Sequence, residues 1–253
     1  MTKFLLLEIC IETLDAATAA ERGGADRIEL CENLQVGGVT PSADLMRAVR
    51  SQVHIPVYAM IRPRAGDFFY SEMEFKQMAR DLAMAKELGM DGVVLGLLGP
   101  DHRVDVGRTR SLADLARPLP VTFHRAFDET PNLREALEDV IATGAARILT
   151  SGGSPSAEQG VGALAELVDA GRKRIRIMPG AGISAANIER ILQTTRAREV
   201  HSGLSTVVPC PRADYRKFET EVGKLAELLK KLQLSGRNYE LEAVRLARAK
   251  RKK

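Results

Sequence analysis

Three stretches of the chain repeat one pattern: Gly24-Ala25-Asp26-Arg27-Ile28-Glu29-Leu30, Gly89-Met90-Asp91-Gly92-Val93-Val94-Leu95 and Gly144-Ala145-Ala146-Arg147-Ile148-Leu149-Thr150. Each follows an amphipathic segment, so the glycine reads as the left-handed residue that ends a helix and the last four residues as the next strand. A chain built from such junctions repeats a βα unit. Strands of this kind begin near Phe4, Arg27, Val57, Gly92, Val121, Arg147, Ile175 and Glu199. Eight strands at intervals of roughly 20 to 35 residues, alternating with helices, predict a single (β/α)8 TIM barrel more than a doubly wound sheet. A chain of 253 residues, 45% hydrophobic, is the right size for one such barrel.

Helix starts are marked by Thr40-Pro41, by the capping box Ser71-Glu72-Met73-Glu74, by Asn132 three residues before Glu135, and by Ser154-Pro155. Phe75, Met78, Leu82 and Ala85 recur at steps of three and four, one helix face packed on a barrel. The last helix is out of proportion. From residue 214 to about 234, Phe218, Val222, Leu225, Leu229 and Leu232 form a heptad seam. A break at Ser235-Gly236 and a second helix over 239–251 predict an αα-hairpin or oligomerisation appendage; an ordinary closing helix with a frayed basic tail fits equally. The expected division is therefore a barrel over 1–213 and a helical extension over 214–253, in a homo-oligomer.

Period-two alternation gathers polar residues at the strand ends. Glu8 and Cys10 share a face of the first strand, and Glu29 and Cys31 a face of the second. If the two strands are parallel and in register, two carboxylates and two thiols converge where α/β barrels place their sites. Arg62, with Arg64 in the same phase beyond Pro63, joins them from the third strand, His124 from the fifth with Asp128 in the loop beyond, and His201 from the eighth. Buried charges persist only when paired, so either a site or a structural network of Arg62 with carboxylates is expected. Gly180-Ala181-Gly182, followed by a helix from about Ala185, and Ser202-Gly203 are glycine loops after late strands. Such loops bind phosphate through bare N–H groups, or serve as plain turns.

The net charge of +4 comes from the tail, because residues 237–253 carry +5 and leave the body at about −1. A basic tail on a neutral body is a poor footprint for nucleic acid, and none is expected as a partner. No apolar run approaches the ~20 residues needed to span a bilayer, and residues 1–11 lack the features of a signal peptide. A cytoplasmic protein with no membrane partner is expected. Three cysteines, an odd number without an export signal, argue for reduced thiols. Cys210, between two prolines, has no evident partner.

Seven blocks in order resemble the CutC family: Glu8-Ile9-Cys10, Arg27-Ile28-Glu29-Leu30-Cys31, Gly37-Gly38-Val39-Thr40-Pro41-Ser42, Ile61-Arg62-Pro63-Arg64-Ala65-Gly66-Asp67-Phe68, Thr122-Phe123-His124-Arg125-Ala126-Phe127-Asp128, Leu149-Thr150-Ser151-Gly152 and Glu199-Val200-His201-Ser202. The resemblance covers residues 4 to about 205. It implies a TIM barrel associated with copper homeostasis, with Cys10 and Cys31 as Cu(I) ligands. After about residue 215 the chain departs from the family's ending, with the regular composition of an engineered extension. Cu(I) is soft and accepts two thiolates, whereas carboxylates beside them are poor ligands and raise the thiol pKa unless Arg62 neutralises them. Both cysteines are equally readable as small core residues. The alternative is an enzyme acting on a small anionic or phosphorylated substrate. In it Glu8, Glu29 and His124 would do acid-base work, with Asp128 and His201 beside them, Arg62 and Arg64 would hold the anion, and Gly180, Gly182 and Ser202 would bind phosphate.

Overall fold

The computed structural model describes residues 5–205, 208 and 214–250, with side chains as far as residue 234. Among them eight parallel strands alternate with eight helices. They are β1 (Leu6–Ile11), α1 (Leu14–Arg22), β2 (Arg27–Leu30), α2 (Ala43–Gln52), β3 (Val57–Met60), α3 (Glu72–Glu87), β4 (Gly92–Leu95), α4 (Val106–Ala116), β5 (Val121–Phe123), α5 (Leu133–Thr143), β6 (Arg147–Thr150), α6 (Val161–Gly171), β7 (Arg176–Pro179), α7 (Ile188–Thr195), β8 (Glu199–Ser202) and α8 (Tyr215–Lys250). The hydrogen-bonded order is β7-β6-β5-β4-β3-β2-β1-β8, and β7 lies beside β8, so the sheet comes round on itself as a barrel. The glycines of the repeat end helices as expected, with φ of +92° at Gly24, +74° at Gly89 and +84° at Gly144.

Alternation separates two environments. Ile9, Ile28, Ala59, Val93, Phe123 and Val200 point outward into the core shared with the helices. Their in-phase neighbours point into the barrel, where apolar packing is limited to a small cluster of Cys10, Cys31, Tyr58, Met60 and Val94. Beneath that cluster lie charged residues, Glu8, Arg27, Arg147 and Glu199, together with Met178 and Thr122.

The register of β1 against β2 corrects the expected alignment of the two Glu-x-Cys motifs. Glu8 lies opposite Arg27 and Cys10 opposite Glu29, an offset of two residues. This is the stagger that barrel closure imposes on neighbouring strands. It sets one cysteine against the other motif's carboxylate.

Two helix starts also differ from expectation. Ser42, not Thr40, caps α2, its side chain accepting from Leu45 N–H. Ser154-Pro155 begins no helix: α6 starts at Val161 after Gly160, and the intervening residues form turns, with Ala157 N–H donating to Ala181 O at 3.0 Å. The box at Ser71 and the cap at Asn132 form as read.

The C-terminal helix is one element, running through Ser235-Gly236 without the expected break. Its seam is spent inside the chain: Phe218, Val222, Leu225 and Leu229 are buried in the main core, against α1, α7 and β1. Close approach is possible because Gly23 has no side chain; a Cβ there would lie 2.7 Å from Val222 Cβ and 2.8 Å from Glu219 O. Thr13 Oγ1 and Tyr215 Oη (3.2 Å) and the Arg22–Glu219 ion pair (2.9 Å) tie the same helices together. No described helix is long and apolar enough to cross a membrane. Cys210 lies outside the described residues.

Candidate functional site

The barrel interior is organised from a charged layer upward. Arg27 Nε donates to Glu8 Oε2, and Arg27 Nη2 donates to Glu199 Oε2 at 2.7 Å. Arg147 Nε reaches the same Glu199 oxygen at 2.9 Å. Both guanidinium groups also lie over the Tyr58 ring, Arg27 at 4.8 Å and Arg147 at 5.1 Å from its centroid. Burial is the largest single influence on Glu8 and pushes its pKa up. Arg27, the hydrogen bond from His201 and the charge of Arg147 together outweigh it and hold the carboxyl at about 2. Glu8 is therefore an anion at neutral pH.

Above this layer the thiols meet. Cys10 Sγ donates to Glu29 Oε1 at 3.2 Å and lies 3.6 Å from Cys31 Sγ; both cysteines are buried and free. The hydrogen bond with Cys31, burial, and the charges of Cys31 and Glu29 all push the Cys10 thiol well above its usual range. Glu29 Oε2 is buried with no hydrogen-bond partner among the described residues. Burial raises the Glu29 pKa, reinforced by Glu8 and opposed by His201, Cys10 and Arg27. His201 Nδ1 lies 2.7 Å from Glu8 Oε1. Burial lowers its pKa, but Glu29 and Glu8 overcome that and raise it. One ligand atom each from Cys10, Glu29 and His201 lies within 4.8 Å of the others.

The opposite wall carries two more unpaired groups. His124 caps the short 3-10 turn Arg125–Glu129, its Nδ1 accepting from Ala126 N–H at 3.2 Å. The proton is thereby placed on Nε2, which is buried without a partner. Burial first, and then the charge of Arg62, lower the His124 pKa to about 3, so the imidazole is neutral. Gly96 makes room for the ring: a Cβ there would lie 2.5 Å from His124 Nδ1. The Phe68 ring lies 4.9 Å from the His124 ring and 5.0 Å from the Arg62 guanidinium.

The expected pairing of Arg62 with carboxylates is not found. Arg62 donates to the carbonyls of Val36 (3.0 Å), Gly38 (2.8 Å) and Gly66 (2.8 Å), leaving Nε unpaired. Arg27 and Arg147 do the neutralising instead. They occupy the same place in the repeated junction, two residues before Glu29 and Leu149, so extending the alternation backward by one step would have found them.

A cavity of about 940 Å³ opens at the strands' C-terminal ends. It is lined by Cys10, Glu29, Arg62, His124, Asp128, His201, Ser202 and Gly182. Glu8, Cys31, Arg64 and Gly180 do not line it. Arg64 folds back on its own loop, bound to Glu74 (2.5 Å), Asp67 (2.9 Å) and Phe69 O (2.6 Å). Asp128 accepts from Thr150 Oγ1 (2.5 Å), Ser151 N–H (3.0 Å) and Gly153 N–H (3.0 Å), which fixes the loop after β6. Ser202 Oγ donates to Ile183 O at 2.7 Å, and Gly180 N–H donates to Thr150 O at 3.0 Å. The helix expected from Ala185 begins at Ile188, and Asn187 Oδ1 accepts from Ser184 N–H at 2.9 Å, so part of the glycine loop's donor capacity is used internally.

The CutC family model matches residues 5–206. A Chromobacterium violaceum protein named as family protein CutC is 49% identical over 197 residues, covering 78% of this chain and 80% of its own. The human copper homeostasis protein cutC homolog is 46% identical over 196 residues, covering 78% and 72%. Among solved structures, the copper homeostasis protein CutC from Streptococcus agalactiae superposes with a TM-score of 0.75 at 34% identity, covering 79% of this chain and 98% of that one.

Proposed function

The chain belongs to the CutC copper homeostasis family, and from that premise we propose that it binds copper as Cu(I) through Cys10 and Cys31. The observation that carries the reading is the pair of free, buried sulfurs 3.6 Å apart at the ends of adjacent strands. Two thiolates suit a soft d10 ion, and the narrow gap needs only a small opening to admit it. We take the protein to act in the cytoplasm, where thiols this close stay reduced. Competitive titration of the anaerobic protein against a Cu(I) chelator tests the site. Cys10→Ser and Cys31→Ser should each remove nearly all binding, whereas Cys210→Ser should leave it unchanged. Binding by the double variant as tight as by the parent would sink the reading.

A second reading, an enzyme acting on a small anionic substrate, is favoured by a different observation. Glu29 Oε2, Arg62 Nε and His124 Nε2 are buried and unpaired, and all three residues border one cavity. Copper held by two thiolates leaves these groups idle. A substrate oxygen could accept from His124 Nε2–H and Arg62 Nε–H, while Glu29 exchanges a proton with it. Glu29→Gln and Arg62→Ala should then spare Cu(I) binding and abolish turnover.

A further inference from the structure

Cys10 has two neighbourhoods, and they differ in chemistry. On one side is Cys31 Sγ, 3.6 Å away, wholly buried and packed under Gly38, whose added Cβ would lie 3.1 Å from that sulfur. On the other side are Glu29 and His201, which border the cavity with Cys10 as Cys31 does not. We infer that Cys10 serves two mutually exclusive donor sets, and that the second, Cys10 with Glu29 and His201, takes a divalent cation of borderline softness such as Zn2+, with an open coordination position toward the cavity. The claim of exclusivity rests on the copper reading; the divalent site does not.

Geometry supports the second set first. Its three donor atoms lie within 4.8 Å of one another, and one sulfur, one oxygen and one nitrogen is a set that zinc accepts and Cu(I) does not need. The ligands are also prepared for the role. Glu8, anionic beside Arg27, engages His201 Nδ1 at 2.7 Å, so Nδ1 carries the proton and Nε2 keeps its lone pair. A carboxylate behind a ligating histidine is the usual outer support of a metal centre. Glu29 Oε2 is a buried carboxylate oxygen with no partner, which a cation would satisfy.

Charge points the same way. A divalent ion on one thiolate, one carboxylate and one neutral imidazole is electrically neutral, which suits a buried site. Cu(I) on two thiolates carries a net negative charge beside Glu29. Three protein ligands with a fourth position open to a cavity is the arrangement of catalytic rather than structural zinc.

Cobalt(II) is the probe, added to the full-length, reduced chain under anaerobic conditions. One equivalent should produce a thiolate-to-cobalt charge-transfer band and the strong visible bands of four-coordination, and one equivalent of Cu(I) should abolish both. Cys31→Ala should keep the cobalt spectrum and lose tight Cu(I) binding, and His201→Gln should do the reverse. A chain that binds Cu(I) but gives no charge-transfer band with excess cobalt overturns the inference and leaves the copper reading intact. A cobalt spectrum that survives saturating Cu(I) overturns the shared thiol. Cobalt binding without any Cu(I) binding supports the divalent site and sinks the copper reading. The competition on the unaltered chain needs no variant, so a variant that fails to fold does not remove the test.

Discussion

A carboxylate as deeply buried as Glu8 stays ionised only while a cation faces it, and Arg27 is that cation. Replacing it with leucine would leave buried Glu8 with only His201 at hydrogen-bond distance, and would free one of the bonds on Glu199. Arg27→Leu should cost about 3–5 kcal/mol in denaturant unfolding at pH 7, and the loss should shrink when Glu8→Gln is added. His124 titrates with the opposite economy, because its folded pKa of about 3 lies below the ordinary 6.5. Between those values the unfolded chain binds the extra proton, so this residue's contribution to stability falls as pH drops from 6.5 toward 3. His124→Asn keeps an acceptor for Ala126 N–H but cannot titrate. Relative to the parent it should gain on the order of a few kcal/mol between pH 7 and pH 4, and unfolding curves at several pH values would read it. Most interior residues were legible from alternation alone, since Glu29, Arg62, His124 and His201 all reach the mouth. What alternation could not give was pairing: Arg62 satisfies backbone carbonyls because the loops after β2 and β3 curl round it, and that curl has no signature in a period of two.

At the scale of elements, α8 decides where the barrel ends. Its seam of Phe218, Val222, Leu225 and Leu229 is buried in the core, and each such side chain contributes roughly 1.5–3 kcal/mol. Removing all four would cost an amount comparable to the whole stability of a domain, about 5–15 kcal/mol. A chain ending at residue 235 should therefore melt cooperatively, with circular dichroism near the parent's minus the lost helix, while one ending at residue 216 should show no cooperative transition. A cooperative melt in the shorter chain would mean that the ring closes without α8. The heptad spacing was legible; its destination was not, because a seam facing α1 and a seam facing another copy have the same period. The starts at Ser71 and Asn132 were legible because their caps are local. Ser154-Pro155 misled because a capping pair can equally open a turn that never becomes a helix.

For the whole molecule, the barrel was legible because eight strands alternating with helices in one chain leave few other ways to bury the strands' outer faces. The offset of β1 against β2 was not, since stagger is a property of closing the ring and no single strand encodes it. On the copper reading proposed above, that offset bears on the pH dependence of binding. It brings Cys10 against Glu29, and the hydrogen bond with Cys31 first, then burial and the neighbouring charges of Cys31 and Glu29, push the thiol well above its usual range. Cu(I) binds thiolate, so loading must expel the Cys10 proton, and affinity must rise with pH as long as that thiol is protonated in the free chain. The apparent Kd for Cu(I) should tighten about tenfold per pH unit between pH 6 and 8 for each proton released, as measured by chelator competition corrected for the chelator's own titration. A Kd independent of pH across that range would mean that Cys10 is already a thiolate, and that the contact with Glu29 does not hold its proton.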